Sequence, residues 1–265
     1  MGRIYTFVNQ KGGVGKTTST ISLGAYLGYY GQRVLLVDLD PQANATSCLG
    51  IDKNTIQGGT YEVLIGAASA ASQVLHNPRF KLSLLPSSPA LAGAEVELID
   101  LPNRENRLKD LLTPLTDRYD YILIDCPPSL SLLTVNGLVA ARGGVIVPVQ
   151  CEYLALEGLG QLTATLNRVR SSVFPELKVR GVVLTMFDGR TKLANDVVTE
   201  VRQYFPTQVF KSVIPRSVRL AEAPSFGSPI NVFAPESTAA KAYSALAREI
   251  LAGDGVQIEK IEEAA

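Results

Sequence analysis

The sequence predicts a doubly wound α/β domain, a mostly parallel sheet flanked by helices, and three observations carry that prediction. Strand-like and helix-like stretches alternate along most of the 265 residues. Two of the strand-like stretches, 33–38 (RVLLVD) and 121–125 (YILID), are unbroken apolar runs that end in acid. Such runs lack the polar–apolar alternation of a half-exposed strand and suit parallel strands covered on both faces. Finally, a glycine-rich octet at 11–18 separates the first strand from the first helix, at the end of the sheet where such folds bind ligands. With 46% hydrophobic and 19% charged residues the chain has material for one large core.

Each element follows in order. Residues 4–8 form a short apolar strand, and 17–30 read as a helix closed by Gly31, which can take the left-handed C′ conformation. The strand 33–38 comes next. The stretch 51–118 is less regular, with a short helix at 61–65, a strand at 82–85 and helices at 91–99 and 104–115. The strand 121–125 is stopped by Pro127 and Pro128. Strands at 145–149, 179–185 and 210–214 alternate with helices at 156–173 and 193–204, and a last helix covers 237–251. No repeat or low-complexity linker divides the chain, so 1–252 reads as one domain and 253–265 as an acidic, frayed tail.

Composition narrows the function classes. The formal net charge is zero, which excludes a wholly basic nucleic-acid binder while leaving room for a local basic patch. Three cysteines without CxxC spacing read as reduced thiols of a cytoplasmic protein rather than a disulfide framework. One histidine and no Cys/His cluster argue against structural zinc. A strand begins within a few residues of Met1, which reads as no signal peptide, and no apolar run reaches the ~18 residues that would span a bilayer.

The octet Lys11, Gly12, Gly13, Val14, Gly15, Lys16, Thr17, Thr18 carries the strongest chemical signal. Glycines let backbone N–H groups turn inward toward phosphate oxygens, and the following helix N-terminus adds partial positive charge. Lys16 is placed to reach the β- and γ-phosphates of a nucleotide, and the Thr17 hydroxyl to ligate Mg²⁺. Two strands end in carboxylates, at Asp38-Leu39-Asp40-Pro41-Gln42 and at Asp125-Cys126-Pro127-Pro128. Carboxylates there can hold Mg²⁺ through water and orient an attacking water. The residues alone do not rank Asp38 against Asp125.

The ordinary loop is GxxxxGK[ST]. Here Gln10 stands where its first glycine would be, and a second lysine follows at Lys11. This form, KGGxGK[ST], resembles the deviant Walker A motif of the ParA/MinD class of P-loop ATPases. DLDPQ resembles the second signature of that class, and ILIDCPPS its Walker B segment. The resemblance implies that Lys11 reaches the nucleotide of a partner subunit, that Asp40 serves the attacking water, Asp38 the Mg²⁺ shell and Asp125 Walker B. It also implies an adenine site near Met186, Pro215 and Arg216.

The segments VPVQCEYLALEGL, VVLTMFDGRTKLA and VIPRSVRLAEAPSFGSPI resemble the chromosomal ParA/Soj partition ATPases. That resemblance implies slow ATP hydrolysis with Mg²⁺, an ATP-dependent homodimer that holds double-stranded DNA without sequence preference, release triggered by a ParB-like activating protein, and a cytoplasmic, nucleoid-associated location. Arg190, Lys192, Arg216 and Arg219 are basic residues near the carboxyl ends of two strands and could neutralise DNA phosphates. Three alternatives stand beside this reading. A MinD-like ATPase would need a basic amphipathic C-terminus, yet the chain ends with Glu259, Glu262 and Glu263 against Lys260, so no membrane partner is expected. An iron–sulfur ATPase of the nitrogenase-reductase type would need two suitably placed cysteines per chain, and Cys48, Cys126 and Cys151 all read as small apolar fillers. A same-fold ATPase that positions a protein cargo on the nucleoid is not separated from chromosome partition.

Overall fold

The computed structural model describes residues 1–153 and 155–257. Eight strands form one sheet: β1 (Arg3–Phe7), β2 (Val34–Asp38), β3 (Leu75–Asn77), β4 (Leu82–Leu85), β5 (Tyr121–Asp125), β6 (Gly144–Gln150), β7 (Val179–Phe187) and β8 (Val209–Pro215). Their order is β3-β4-β2-β5-β1-β6-β7-β8, and only β3 runs antiparallel. The helices are α1 (Lys16–Tyr29), α2 (Asn44–Cys48), α3 (Thr60–Ile65), α4 (Ala70–Gln73), α5 (Leu91–Glu97), α6 (Arg107–Leu112), α7 (Leu132–Ala140), α8 (Ala155–Ser172), α9 (Lys192–Tyr204), α10 (Val218–Glu222), α11 (Ile230–Phe233) and α12 (Thr238–Gly253).

The unbroken apolar runs of β2 and β5 are buried at every position, because both faces of the sheet are covered. Alternate residues feed opposite cores. Leu36, Leu123 and Ile146 pack with Leu23 and Leu27 of α1 and with Tyr243 and Leu246 of α12. Leu35, Val37 and Ile122 pack on the other face with α3, α5, α6 and α7, and β6 and β7 continue that face against α8 and α9. All seven parallel strands therefore end at one edge, where loops and helix N-termini converge.

The structure adds elements that the sequence pattern concealed. α7 was not expected after Pro127 and Pro128, since its segment LLTVNGLVA is buried nearly all round and shows no amphipathic period. β3, α2, α10 and α11 are each five residues or shorter. The helix expected at 104–115 is only Arg107–Leu112, followed by a 3₁₀ turn at Thr113–Leu115.

The tail expected from Gly253 on is a second difference, as far as it is described. Gly253 closes α12. Asp254 then turns inward, its side chain 5% exposed, and accepts hydrogen bonds from Tyr5 Oη (2.8 Å), Tyr121 Oη (3.0 Å) and Arg180 Nη2 (3.0 Å). Arg3 Nη2 donates to the Asp254 carbonyl (2.6 Å). This knot ties the end of α12 to the beginnings of β1, β5 and β7. Burial and the neighbouring carboxylate push both phenols up from their usual range. Residues 258–265, with the three glutamates of the expected acidic end, lie outside the described residues.

Removing one member of a buried charged network leaves the others unpaired. Asp254→Ala is expected to lower stability by about 3 kcal/mol. A urea titration should show the midpoint falling with the slope unchanged; a midpoint within error of the parent contradicts the anchoring role.

Candidate functional site

Between Phe7 and Lys16 the chain turns on Gly13 (φ 75°) and Gly15 (φ 88°), left-handed conformations that cost glycine nothing. Gly15 is the N-cap of α1 and supplies no side-chain hydrogen bond. Ser19 N is the first amide of this helix bonded back to the loop, to Gly15 O (2.9 Å). The preceding amides of the first turn are those an anion can take. The loop is held from three strands. Asn9 Nδ2 donates to Pro148 O in β6 (2.8 Å), Thr185 Oγ1 of β7 donates to Val14 O (2.9 Å), and Thr17 Oγ1 donates to Asp125 Oδ2 of β5 (2.7 Å).

Lys16 is buried in this loop, 7% exposed, with Nζ donating to Lys11 O (3.2 Å). Burial lowers its ammonium pKa, and Asp125 opposes that shift. Asp38 and Asp125 are register partners at the ends of β2 and β5, and neither side chain meets solvent. Burial pushes Asp38 up to about 6 and Asp125 up to about 8, the latter also through the Asp38 charge. The two carboxylates are engaged differently. Asp38 Oδ2 accepts from Thr46 N (2.8 Å) and Thr46 Oγ1 (2.7 Å), and Oδ1 from Asp40 N (3.2 Å). Among the described residues the Asp125 carboxylate accepts from hydroxyls, those of Thr17 and, at 3.4 Å, Thr20. Asp40 accepts from Gln42 N at Oδ1 (2.9 Å).

Beside the loop a cavity of ≈ 340 Å³ is lined by Gly15, Thr18, Met186, Pro215 and Arg216, among others. The structure thus brings the three residues expected near adenine against the phosphate loop. Met186 holds a left-handed backbone (φ 51°), uncommon for a side chain of that size. Thr185, Leu220 and Tyr243 share the lining, and Tyr243 Oη pairs with Ser19 Oγ of α1 (2.9 Å). Sequence reasoning missed these three, and for Tyr243, over two hundred residues from the loop, the sequence carries no signal. It missed Glu152 as well. That carboxylate pairs with Lys11 Nζ (3.7 Å) and with Arg216 Nη2 (3.3 Å) at the mouth of the cavity.

The other basic residues lie on the same edge, and both arginines are paired. Arg190 pairs with Asp188 (2.7 Å), whose carboxyl it lowers to about 2, and Arg219 pairs with Glu222 (2.9 Å). Lys192, the first residue of α9, has no ion pair among the described residues. Cys126 and Cys151 are buried, and burial pushes both thiols up, away from the thiolate a cluster ligand must be. No group of three or more His, Cys, Asp or Glu side chains among the described residues forms a metal cage. A hydroxyl and a carboxylate in contact, as at Thr17 and Asp125, suit an ion that takes one or two protein oxygens and draws the rest from phosphate and water.

Fold and site together define a P-loop nucleotide-binding protein of the two-lysine kind. Residues 2–179 match the family described as AAA domain. The chain is 51% identical over 255 residues to the chromosome partitioning protein ParA of Myxococcus xanthus, covering 96% of this chain and 89% of that one. It is 50% identical over 252 residues to the sporulation initiation inhibitor protein Soj of Bacillus subtilis, covering 95% and 99%. It belongs to the ParA/Soj family of chromosome-partitioning proteins. Among solved structures, the cobyrinic acid a,c-diamide synthase of Mycobacterium smegmatis with bound ADP and magnesium superposes with a TM-score of 0.85 at 39% identity, 96% of each chain being covered.

Lys16 is the one buried cation of the loop. Lys16→Ala is expected to cut ATP turnover by about 100-fold or more, the order seen when a preorganised charge on the reacting group is removed. A phosphate-release assay checks this, and undiminished turnover contradicts the loop's role.

Proposed function

We propose that this protein is a partition ATPase that hydrolyses ATP slowly with Mg²⁺, closes around ATP as a sandwich homodimer, and holds double-stranded DNA non-specifically in that state. Hydrolysis, stimulated by a ParB-like activating protein, releases it. The observation that carries this reading is the division of labour between the two loop lysines. Lys16 is buried, with Nζ on a loop carbonyl, whereas Lys11 has a side chain 37% exposed and paired with Glu152. One lysine serves the chain's own phosphates; the other is free to cross to a second subunit. The ParA and Soj names of the relatives support the same reading.

In this assignment the amides of residues 12–18 cradle the phosphates, Lys16 neutralises charge on the transferred group, and Met186, Pro215 and Arg216 flank the base. Thr17 and Asp125 would hold Mg²⁺, which would supply neutralisation of phosphate charge. Asp40, at the same edge, orients the attacking water. Asp38 stands behind it, its oxygens taken by Thr46 and by the Asp40 amide. The location that follows is cytoplasmic and nucleoid-associated. No described helix is long and apolar enough to cross a membrane.

Gly12 tests the sandwich. A Cβ built there meets nothing within 4 Å of its own chain, so a larger residue fits the monomer. Gly12→Val is expected to bind ATP within about threefold of the parent, since the monomer is unstrained, yet to stay monomeric because the side chain occupies the space between subunits. Light scattering at saturating ATP checks this, and normal dimerisation contradicts the geometry.

DNA binding should follow nucleotide state. Arg190→Ala, Lys192→Ala and Arg219→Ala should each weaken binding on every duplex and flatten the salt slope by about one unit per lost phosphate contact. Arg216→Ala, beside the cavity, should also weaken ATP binding. Gel shifts with unrelated duplexes across a salt series, in ADP and in ATP, decide it. Equal binding in both states, or preference for one sequence, contradicts the switch.

A further inference from the structure

The two acids at the end of β2 belong to a closed ring of hydrogen bonds that reaches beyond the loop. Thr46, in the middle of α2, donates to Asp38 Oδ2 through both N (2.8 Å) and Oγ1 (2.7 Å). The same hydroxyl oxygen accepts from Ser87 N (2.9 Å). Ser87 Oγ donates to the Asp40 carbonyl (2.8 Å), and Asp40 N donates to Asp38 Oδ1 (3.2 Å), which closes the ring. Asp38, Thr46 and Ser87 are fully buried and Asp40 is 6% exposed.

The ring grips Asp40 on both sides of its Cα. Its amide is held by Asp38 and its carbonyl by Ser87, with Ala43 N donating to the same carbonyl (2.8 Å). Ala43 takes a left-handed backbone (φ 52°), so the turn from Asp40 to Ala43 is not one the loop would hold unaided. The Asp40 backbone is thereby fixed, and with it the direction of its carboxylate. Ser87 comes from the segment after β4, far from Asp40 in sequence, so two separate elements set one side chain.

We propose that Thr46 and Ser87 are positioning residues for hydrolysis, acting through Asp38 and the Asp40 backbone to aim the Asp40 carboxylate at the attacking water. This rests on the assignment of Asp40 to that water. The physical reason is tolerance. A misplacement of about 1 Å at a group that orients a reactant costs about 100-fold in rate, whereas ground-state nucleotide binding, made by the phosphate loop and the cavity, does not pass through this ring.

The test uses Thr46→Val, which keeps the shape and removes the hydroxyl, Thr46→Ser, which restores it, and Ser87→Ala, with Asp40→Ala as reference. ATP affinity is measured with a fluorescent ATP analogue, dimerisation by light scattering, and hydrolysis in single turnovers. Thr46→Val is expected to lose tenfold or more in kcat with KM and ATP-driven dimerisation unchanged, Ser87→Ala to lose a smaller factor, and Thr46→Ser to recover most of the loss, following the strength of hydrogen bonds to charged groups. Parent-like kcat in Thr46→Val beside an inactive Asp40→Ala overturns the inference and leaves the Asp40 assignment standing. A fall in thermal midpoint and ATP affinity with kcat of the bound protein intact also overturns it, because the ring would then only hold the fold. If Thr46→Val is insoluble, the milder Ser87→Ala decides by the same readouts. Full turnover in Asp40→Ala removes the assignment and the inference together.

Discussion

Asp38 and Asp125 sit side by side across one strand ladder, both buried, and the rest of this edge is arranged around that juxtaposition. Burying two carboxylates together costs several kcal/mol unless donors and cations compensate. Asp38 is compensated by three protein donors. Asp125 has two threonine hydroxyls and the charge of Lys16, and it is the one pushed further up, to about 8. The pair therefore splits into a carboxylate that organises backbone and a carboxylate turned toward the phosphate loop. Positive charge brought to the second favours its ionised form. A divalent cation held at this carboxylate would bring such charge.

The same pair explains the stiffness of the loop. Thr17 and Thr20, on the first turn of α1, both point at Asp125, which pins the helix N-terminus to β5. Thr185 pins the loop carbonyl of Val14 to β7, and Asn9 pins its entry to β6. Loop, cavity and acids are thus hung on neighbouring strands of one sheet rather than on one another. Sites on rigid elements keep donor positions within the half-ångström that catalysis tolerates.

The phosphate loop and the strand-end acids were legible because their chemistry is local. Glycines, lysines and threonine at fixed offsets between a strand and a helix describe a cradle without any tertiary information. Unbroken apolar runs marked β2 and β5 for a similar reason: burial on both faces leaves a mark in each strand alone. α7 was hidden by the same burial, which erases the 3.6-residue period that identifies a helix. Thr46, Ser87, Thr185, Glu152 and Tyr243 were illegible because each matters only through a partner brought close by the sheet order. Ser87 is 41 residues from Thr46, and Tyr243 is 224 from Ser19. A threonine in a five-residue helix looks like any other until Asp38 is beside it.

Electrostatics at the carboxyl edge also bears on how a chain of zero net charge could hold an anionic polymer. Nearly every cation there is matched by an acid: Lys11 and Arg216 by Glu152, Arg190 by Asp188, Arg219 by Glu222. These pairs are exposed, and exposed pairs are held weakly. A phosphate can therefore displace a carboxylate at little cost, whereas a free basic surface would attract polyanions in every state. Glu152 matters most in this respect, since it holds a lysine of the phosphate loop and an arginine of the cavity rim at once. A nucleotide entering between them competes with Glu152 for both cations.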